Sequence, residues 1–180
     1  LIRCSLSIEI HQEYMDDNGK NPNMSRAKCY VDRWNKMRSE NIGLLLWGDV
    51  GTGKSYFAAC IANALIEQGV SVRMTNFSAI LNDLFSCDDK NEYINKLNES
   101  SLLIIDDLGT EFSTTLVSAQ IFNIINERMV NSRATIVSTN LTPDRLKEQY
   151  SDRVLSRMTD GFEFLTLTGD DIRIKKRFMR

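Results

Sequence analysis

The sequence holds one histidine, His11, and its four cysteines, Cys4, Cys29, Cys60 and Cys87, never stand at C-x-x-C spacing. That argues against a zinc site, and four scattered thiols in 180 residues do not make a disulfide framework. No apolar run approaches the ~18 residues of a membrane-spanning helix. No secretory leader pattern opens the sequence, so the expected compartment is the cytoplasm, with no membrane partner. Neither sign of charge is in excess: 22 basic residues face 24 acidic ones, for a net charge of −2. A global basic field is therefore excluded, and any nucleic acid must be met by a local patch. Internal repeats and low-complexity segments are absent as well.

One segment carries strong chemistry. Gly48-Asp49-Val50-Gly51-Thr52-Gly53-Lys54-Ser55 matches the phosphate-loop pattern G-x-x-x-x-G-K-[ST] at every fixed position. An apolar run, 42–47, precedes it, and a helical pattern beginning Phe57-Ala58-Ala59-Cys60-Ile61-Ala62 follows it. The glycines allow backbone N–H groups to turn toward phosphate oxygens, and the helix N-terminus adds its positive dipole end. Lys54 is placed to reach β- and γ-phosphates, and the Ser55 hydroxyl to ligate Mg²⁺. The candidate nucleotide contacts are Gly48, Asp49, Val50, Gly51, Thr52, Gly53, Lys54, Ser55 and Tyr56.

Apolar runs and helical patterns alternate from Ile42 onward. Strands are expected over 42–47, 70–75, 102–105, 134–138 and 164–167. Helices are expected from Ser25 as cap to about Ser39, and over 53–68, 78–85, 91–97, 114–131 and 152–158. A further short one opens with Thr142 as cap and Pro143 at its first position. Strands that are apolar throughout are buried on both faces, which implies a mostly parallel sheet between layers of helices. The domain is expected to occupy 27–180. Residues 1–26 are expected to be an N-terminal extension or linker, and the start at Leu1 leaves room for a truncated segment ahead of it.

A second group of polar residues follows the strands. Asp106 ends the apolar run Leu102-Leu103-Ile104-Ile105, at the strand end where open α/β sheets present ligand-binding groups. Its carboxylate is a candidate second ligand for the Mg²⁺ that Ser55 touches. Asp107 is a candidate to orient and polarise an attacking water. Asn140, after the run 134–139, could hydrogen-bond a γ-phosphate or that water, or could simply be a turn residue ahead of the next helix. Arg153 and Arg157 stand four apart on one helical face. An ion-pair stripe with Asp152 or Asp160 and an arginine finger serving a neighbouring subunit both fit this pattern.

These segments, with Leu108-Gly109-Thr110-Glu111 after the acid pair, Ser138-Thr139-Asn140-Leu141 and Gly169-Asp170-Asp171-Ile172-Arg173, resemble the AAA+ ATPases of the bacterial helicase-loader family. This is the DnaC/DnaI type, to which IstB-like ATP-binding proteins also belong. The resemblance implies a three-layer P-loop NTPase fold with a five-stranded sheet and a lid domain that is absent or minimal. It implies ATP/ADP and Mg²⁺ as ligands, with Ser55 and Asp106 holding the metal. Asp107 would take the catalytic acid's place, Asn140 would be sensor 1, Arg157 the arginine finger with Arg153 close by, and Arg173 the sensor 2 arginine. Residues 77–98 would hold the extra helix of initiators and loaders. The implied activity is slow ATP hydrolysis at subunit interfaces, stimulated by assembly or DNA, because many AAA+ proteins carry Glu where this chain has Asp107. The implied partners are single-stranded DNA, further copies of the chain and a replicative DNA helicase, gripped through a missing or separate N-terminal segment. A transposition-associated ATPase and a nucleotide-gated adaptor with little hydrolysis are the alternatives.

Overall fold

The computed structural model describes residues 22–111, 114–169 and 171. Thirteen elements follow in order: α1 (Pro22–Asp32), α2 (Trp34–Ser39), β1 (Gly43–Trp47), α3 (Lys54–Glu67), β2 (Val72–Asn76), α4 (Phe77–Ser86), α5 (Lys90–Asn98), β3 (Leu102–Leu108), α6 (Thr115–Val130), β4 (Ala134–Thr139), α7 (Pro143–Tyr150), α8 (Asp152–Gly161) and β5 (Phe162–Thr166). The five strands form one sheet in the order β2-β3-β4-β1-β5, and every adjacent pair is parallel. The expected three-layer architecture is present.

Alternation along the strands divides the core. Leu44, Leu46, Leu102, Ile104 and Ile136 face a layer built by α1, α2 and α3, whose Tyr30, Trp34, Phe57 and Ile61 are buried there. Leu45, Leu103, Ile105 and Val137 face the other layer, where Phe77, Leu97, Ile121, Tyr150 and Met158 fill the space beneath α4 to α8. Burying both faces explains the unbroken apolar runs of β1, β3 and β4.

Several boundaries differ from expectation for local reasons. The first helix begins at Pro22 rather than after Ser25, with proline at the opening position where its missing N–H costs nothing. A division at 26/27 therefore falls inside α1, whose Met24 and Ala27 both lie in the core. Arg33 interrupts the helix once, at φ −103 and ψ 20, although Met37 N still donates to Arg33 O at 2.9 Å. The strand expected over 70–75 runs from Val72 to Asn76, and the last strand starts at Phe162, two residues early. The strand expected to stop at Ile105 continues through both acids to Leu108.

That continuation positions the site. The β3–β4 register is regular up to Ile105↔Val137 and then shifts, with Leu108 pairing Thr139. Asp106 and Asp107 occupy the resulting bulge, a device that re-aims side chains at the end of a strand. Asp107 sits at φ 57, in the left-handed region that short polar side chains tolerate better than long ones.

Candidate nucleotide-binding site

The loop between β1 and α3 is held by its own side chains. Thr52 is buried, and its Oγ1 donates to Asp49 O at 2.8 Å. Lys54 is only 6% exposed, and its Nζ donates to Gly48 O and Asp49 O, each at 2.8 Å. The ammonium thus sits inside the curl of the loop. Gly53 stands at the N-cap of α3 with φ 92 and brings no side-chain oxygen to the first turn. Gly51 takes φ 83, and a β-carbon placed on it would come within 2.1 Å of the Asp171 Cγ. The carboxylate of Asp171 therefore lies directly against the loop. Val50, 58% exposed, forms the tip.

The acid pair faces this loop. Ser55 Oγ donates to Asp106 Oδ1 at 3.0 Å. Ser138 Oγ donates to the same oxygen in a short contact and accepts the backbone N–H of Asp107 at 2.9 Å. The bulge has removed a ladder partner from Asp107, and the Ser138 hydroxyl replaces it. Thr139 Oγ1 donates to Leu108 O at 2.7 Å, which ties the next step of the strand in the same manner. Asp106 is half-buried and Asp107 is exposed.

Strand order puts Asn140 at the same end of the sheet. β4 lies between β1 and β3, and Thr139 pairs both Trp47 and Leu108. Asn140 leaves the sheet exposed, between the phosphate loop on one side and the acids on the other.

The two arginines lie elsewhere. Arg153 and Arg157 are exposed on α8, where they line an open groove of about 590 Å³ with Phe122, Asp152, Ser156 and Asp160. The ion-pair stripe is not formed among the described residues: Asp152 pairs with Lys147 Nζ at 2.9 Å instead. Arg173 lies outside the described residues.

Hard oxygen donors suit a divalent cation bound jointly with phosphate. The Ser55 hydroxyl and the Asp106 carboxylate already converge to hydrogen-bond distance, so these residues fit Mg²⁺.

Sequence reasoning did not assign a role to Ser138, although a hydroxyl residue ending the apolar run Ile136-Val137 was a signal. Glu111 enters the sequence reading only as part of the segment that carries the resemblance, with no role of its own. The Glu111 carboxylate accepts from Gly109 N at 3.3 Å and, in a short contact, from the hydroxyl of the fully buried Tyr150. Burial raises the Glu111 carboxyl above the ordinary range, against the lowering effect of nearby backbone N–H groups.

Fold and loop together define a P-loop nucleotide-binding protein of the AAA+ type. The profile of the family described as IstB-like ATP binding protein matches residues 33–179, and the chain belongs to that family. It is 29% identical over 144 residues to the replicative helicase loader DnaC of Escherichia coli strain K12, across 77% of this chain and 57% of that protein. It is 31% identical over 113 residues to the replicative helicase loader DnaI of Bacillus subtilis strain 168, across 61% of this chain and 36% of that protein. The chain thus spans only part of the length of these relatives. A crystal structure of the DnaC helicase loader superposes with a TM-score of 0.75 at 22% identity, covering 86% of this chain and 93% of that one, a likeness of fold.

Proposed function

We propose that this chain is the ATPase domain of a helicase-loading replication factor. In this reading it binds ATP with Mg²⁺, assembles with its own copies on single-stranded DNA, and hydrolyses ATP at the interfaces between copies. The observation that carries the reading is the 3.0 Å hydrogen bond from Ser55 to Asp106, which joins the phosphate loop to the acid strand. The kinship with DnaC and DnaI supports the loading role.

Each residue then has a task. Loop N–H groups and the start of α3 bind the phosphate chain, and Lys54 turns from the loop carbonyls toward the β- and γ-oxygens. Ser55 and Asp106 hold the metal, which when bound draws charge from the phosphates. Asp107 accepts a hydrogen bond from the attacking water, and Asn140 orients that water or the γ-phosphate. Asp is one methylene shorter than the usual Glu, so the water is held less closely and turnover is slow. Arg157, with Arg153 beside it, completes the neighbouring copy's site by neutralising charge in the transition state. Arg173 contributes from the tail.

The test is transfer of a replicative helicase onto circular single-stranded DNA. ATP-dependent acceleration of transfer by this protein is the expected result. No acceleration, with binding of a transposase instead, assigns the protein to transposition, the alternative reading.

A further inference from the structure

Asp106 and Asp107 lie at one end of a continuous bonded path, and the α8 arginines lie at the other. From the acid pair the chain enters the segment 109–111. Thr110 Oγ1 donates back to Asp107 O at 3.1 Å. Gly109, at φ 108, approaches Leu141 so closely that a β-carbon there would meet its Cδ1 at 2.5 Å. Glu111 follows. One carboxylate oxygen accepts from Gly109 N at 3.3 Å, and the other accepts from Tyr150 Oη. Gln149 Nε2 reinforces the junction, donating to Glu111 O at 3.4 Å and to Tyr150 Oη at 3.3 Å. Ser118 Oγ, on α6, donates to Gln149 O at 3.1 Å.

Tyr150 is the last residue of α7, and the residue after it makes the corner. Ser151 adopts φ 91 and ψ 157, closing α7 and opening α8 in one step. A non-glycine residue holds such a conformation only when its surroundings over-determine it. Here the fully buried Tyr150 ring fixes the corner on one side, and Val154 and Met158, buried on the inner face of α8, fix it on the other. Arg153 and Arg157 project from the outer face of this short helix. A small rotation at Ser151 therefore moves both guanidinium groups together.

We propose that Glu111 is a positioning residue, latching the acid loop of one nucleotide site to the α7–α8 corner, so that this site sets the direction in which Arg153 and Arg157 meet the next copy. The inference rests on the reading that Arg157 completes a neighbour's site. A displacement of Asp107 toward a bound γ-phosphate is transmitted through Gly109 to the Glu111 carboxylate, and from there to Tyr150. The path has few members: hydrogen bonds carry it from Asp107 to Tyr150, and close apolar packing of Tyr150, Val154 and Met158 carries it on to α8. Two neighbouring sites thereby fire in sequence rather than independently.

The experiment mixes two inactive variants of the full chain. Asp107→Asn fills its site without turning it over and keeps its arginines. Arg157→Ala keeps its site and lacks the arginine it owes its neighbour. Mixed on single-stranded DNA, the pair should recover ATPase activity at interfaces where an Arg157→Ala site faces an Asp107→Asn arginine. Glu111→Gln is then added to one partner at a time. Placed on the Asp107→Asn partner, it should cut the recovered rate about tenfold or more, as expected for a misplaced charged group. Placed on the Arg157→Ala partner, it should leave most of that rate.

Loss confined to the Arg157→Ala placement would mean that Glu111 only braces its own acid loop, equal loss from both would mean a general defect of folding or assembly, and no loss from either would mean that it positions nothing; each of the three overturns the latch. Tyr150→Phe repeats the test without touching the carboxylate, so a folding failure of one variant does not decide the matter. No recovery in the parent mixture would overturn the interface reading itself, and with it the latch.

Discussion

Ser138 donates its hydroxyl hydrogen to Oδ1 of Asp106 and accepts the backbone N–H of Asp107, at 2.9 Å, with the same oxygen. One buried hydroxyl thus fixes the carboxylate proposed to hold the metal and the backbone of the residue proposed to face the water. Ser138→Ala leaves the Asp107 N–H without that acceptor and frees the Asp106 carboxylate to rotate. Stability should fall by about 1–2 kcal/mol, the cost of an unpaired buried polar group. Magnesium-dependent hydrolysis should fall much further. Thermal melts and initial ATPase rates separate the two effects, and unchanged hydrolysis would remove Ser138 from the site.

The proposed Mg²⁺ site is the oxygen pair at 3.0 Å, and metal dependence tests it. Asp106→Asn should lower ATPase activity by ~100-fold or more, as loss of an electrostatic catalytic group does. EDTA should do the same to the wild-type protein. Excess Mg²⁺ should restore the chelated wild type and fail to restore the variant.

Two glycines with similar backbone angles should behave differently. Gly51 has φ 83 and Gly69 has φ 78, but an added β-carbon meets the Asp171 carboxylate at Gly51 and nothing within 4 Å at Gly69. Gly69→Ala should cost only the left-handed strain of ~1–2 kcal/mol and leave nucleotide affinity intact. Gly51→Ala carries the same strain plus the collision, and should lose ATP binding. Isothermal titration with ATP and Mg²⁺ checks both.

Arg128 is fully buried and, among the described residues, bonds only neutral oxygens: Thr135 Oγ1 at 3.0 Å, Leu97 O at 3.4 Å, Ser100 O at 3.1 Å and Ala134 O at 2.8 Å. Burial pulls its pKa down to about 9, so it stays charged at neutral pH. It clamps the end of α5 to β4. Arg128→Met should cost about 2 kcal/mol through the carbonyls it abandons. Amide exchange should rise first in α5, ahead of the strands.

The contrast between what the sequence disclosed and what it hid is one of range. Gly48 to Ser55 works through consecutive residues, so its spacing alone reveals the loop and the helix after it. The runs 44–46, 102–105 and 134–137 disclose buried parallel strands because both faces are covered. Asp106 and Asp107 stand out by type and position, but their apolar prelude ends at Ile105 and gives no sign that the strand runs on to Leu108. The bulge that contains them depends on Ser138, more than thirty residues away. Glu111 and Tyr150 meet across 39 residues, and no local pattern marks such a pair. Two start signals compete at α1, Ser25 as a cap and Pro22 as a first-turn residue, and the helix begins at the proline.

The central claim, that each site is completed by a neighbouring copy on DNA, is tested most directly by the ATP hydrolysis rate per protomer over a wide range of protein concentration, with and without single-stranded DNA. The account predicts a rate that climbs with concentration, climbs further with DNA, and is lost in Arg157→Ala without loss of ATP binding. A flat rate, indifferent to DNA and to Arg157→Ala, would contradict it and make the site self-contained.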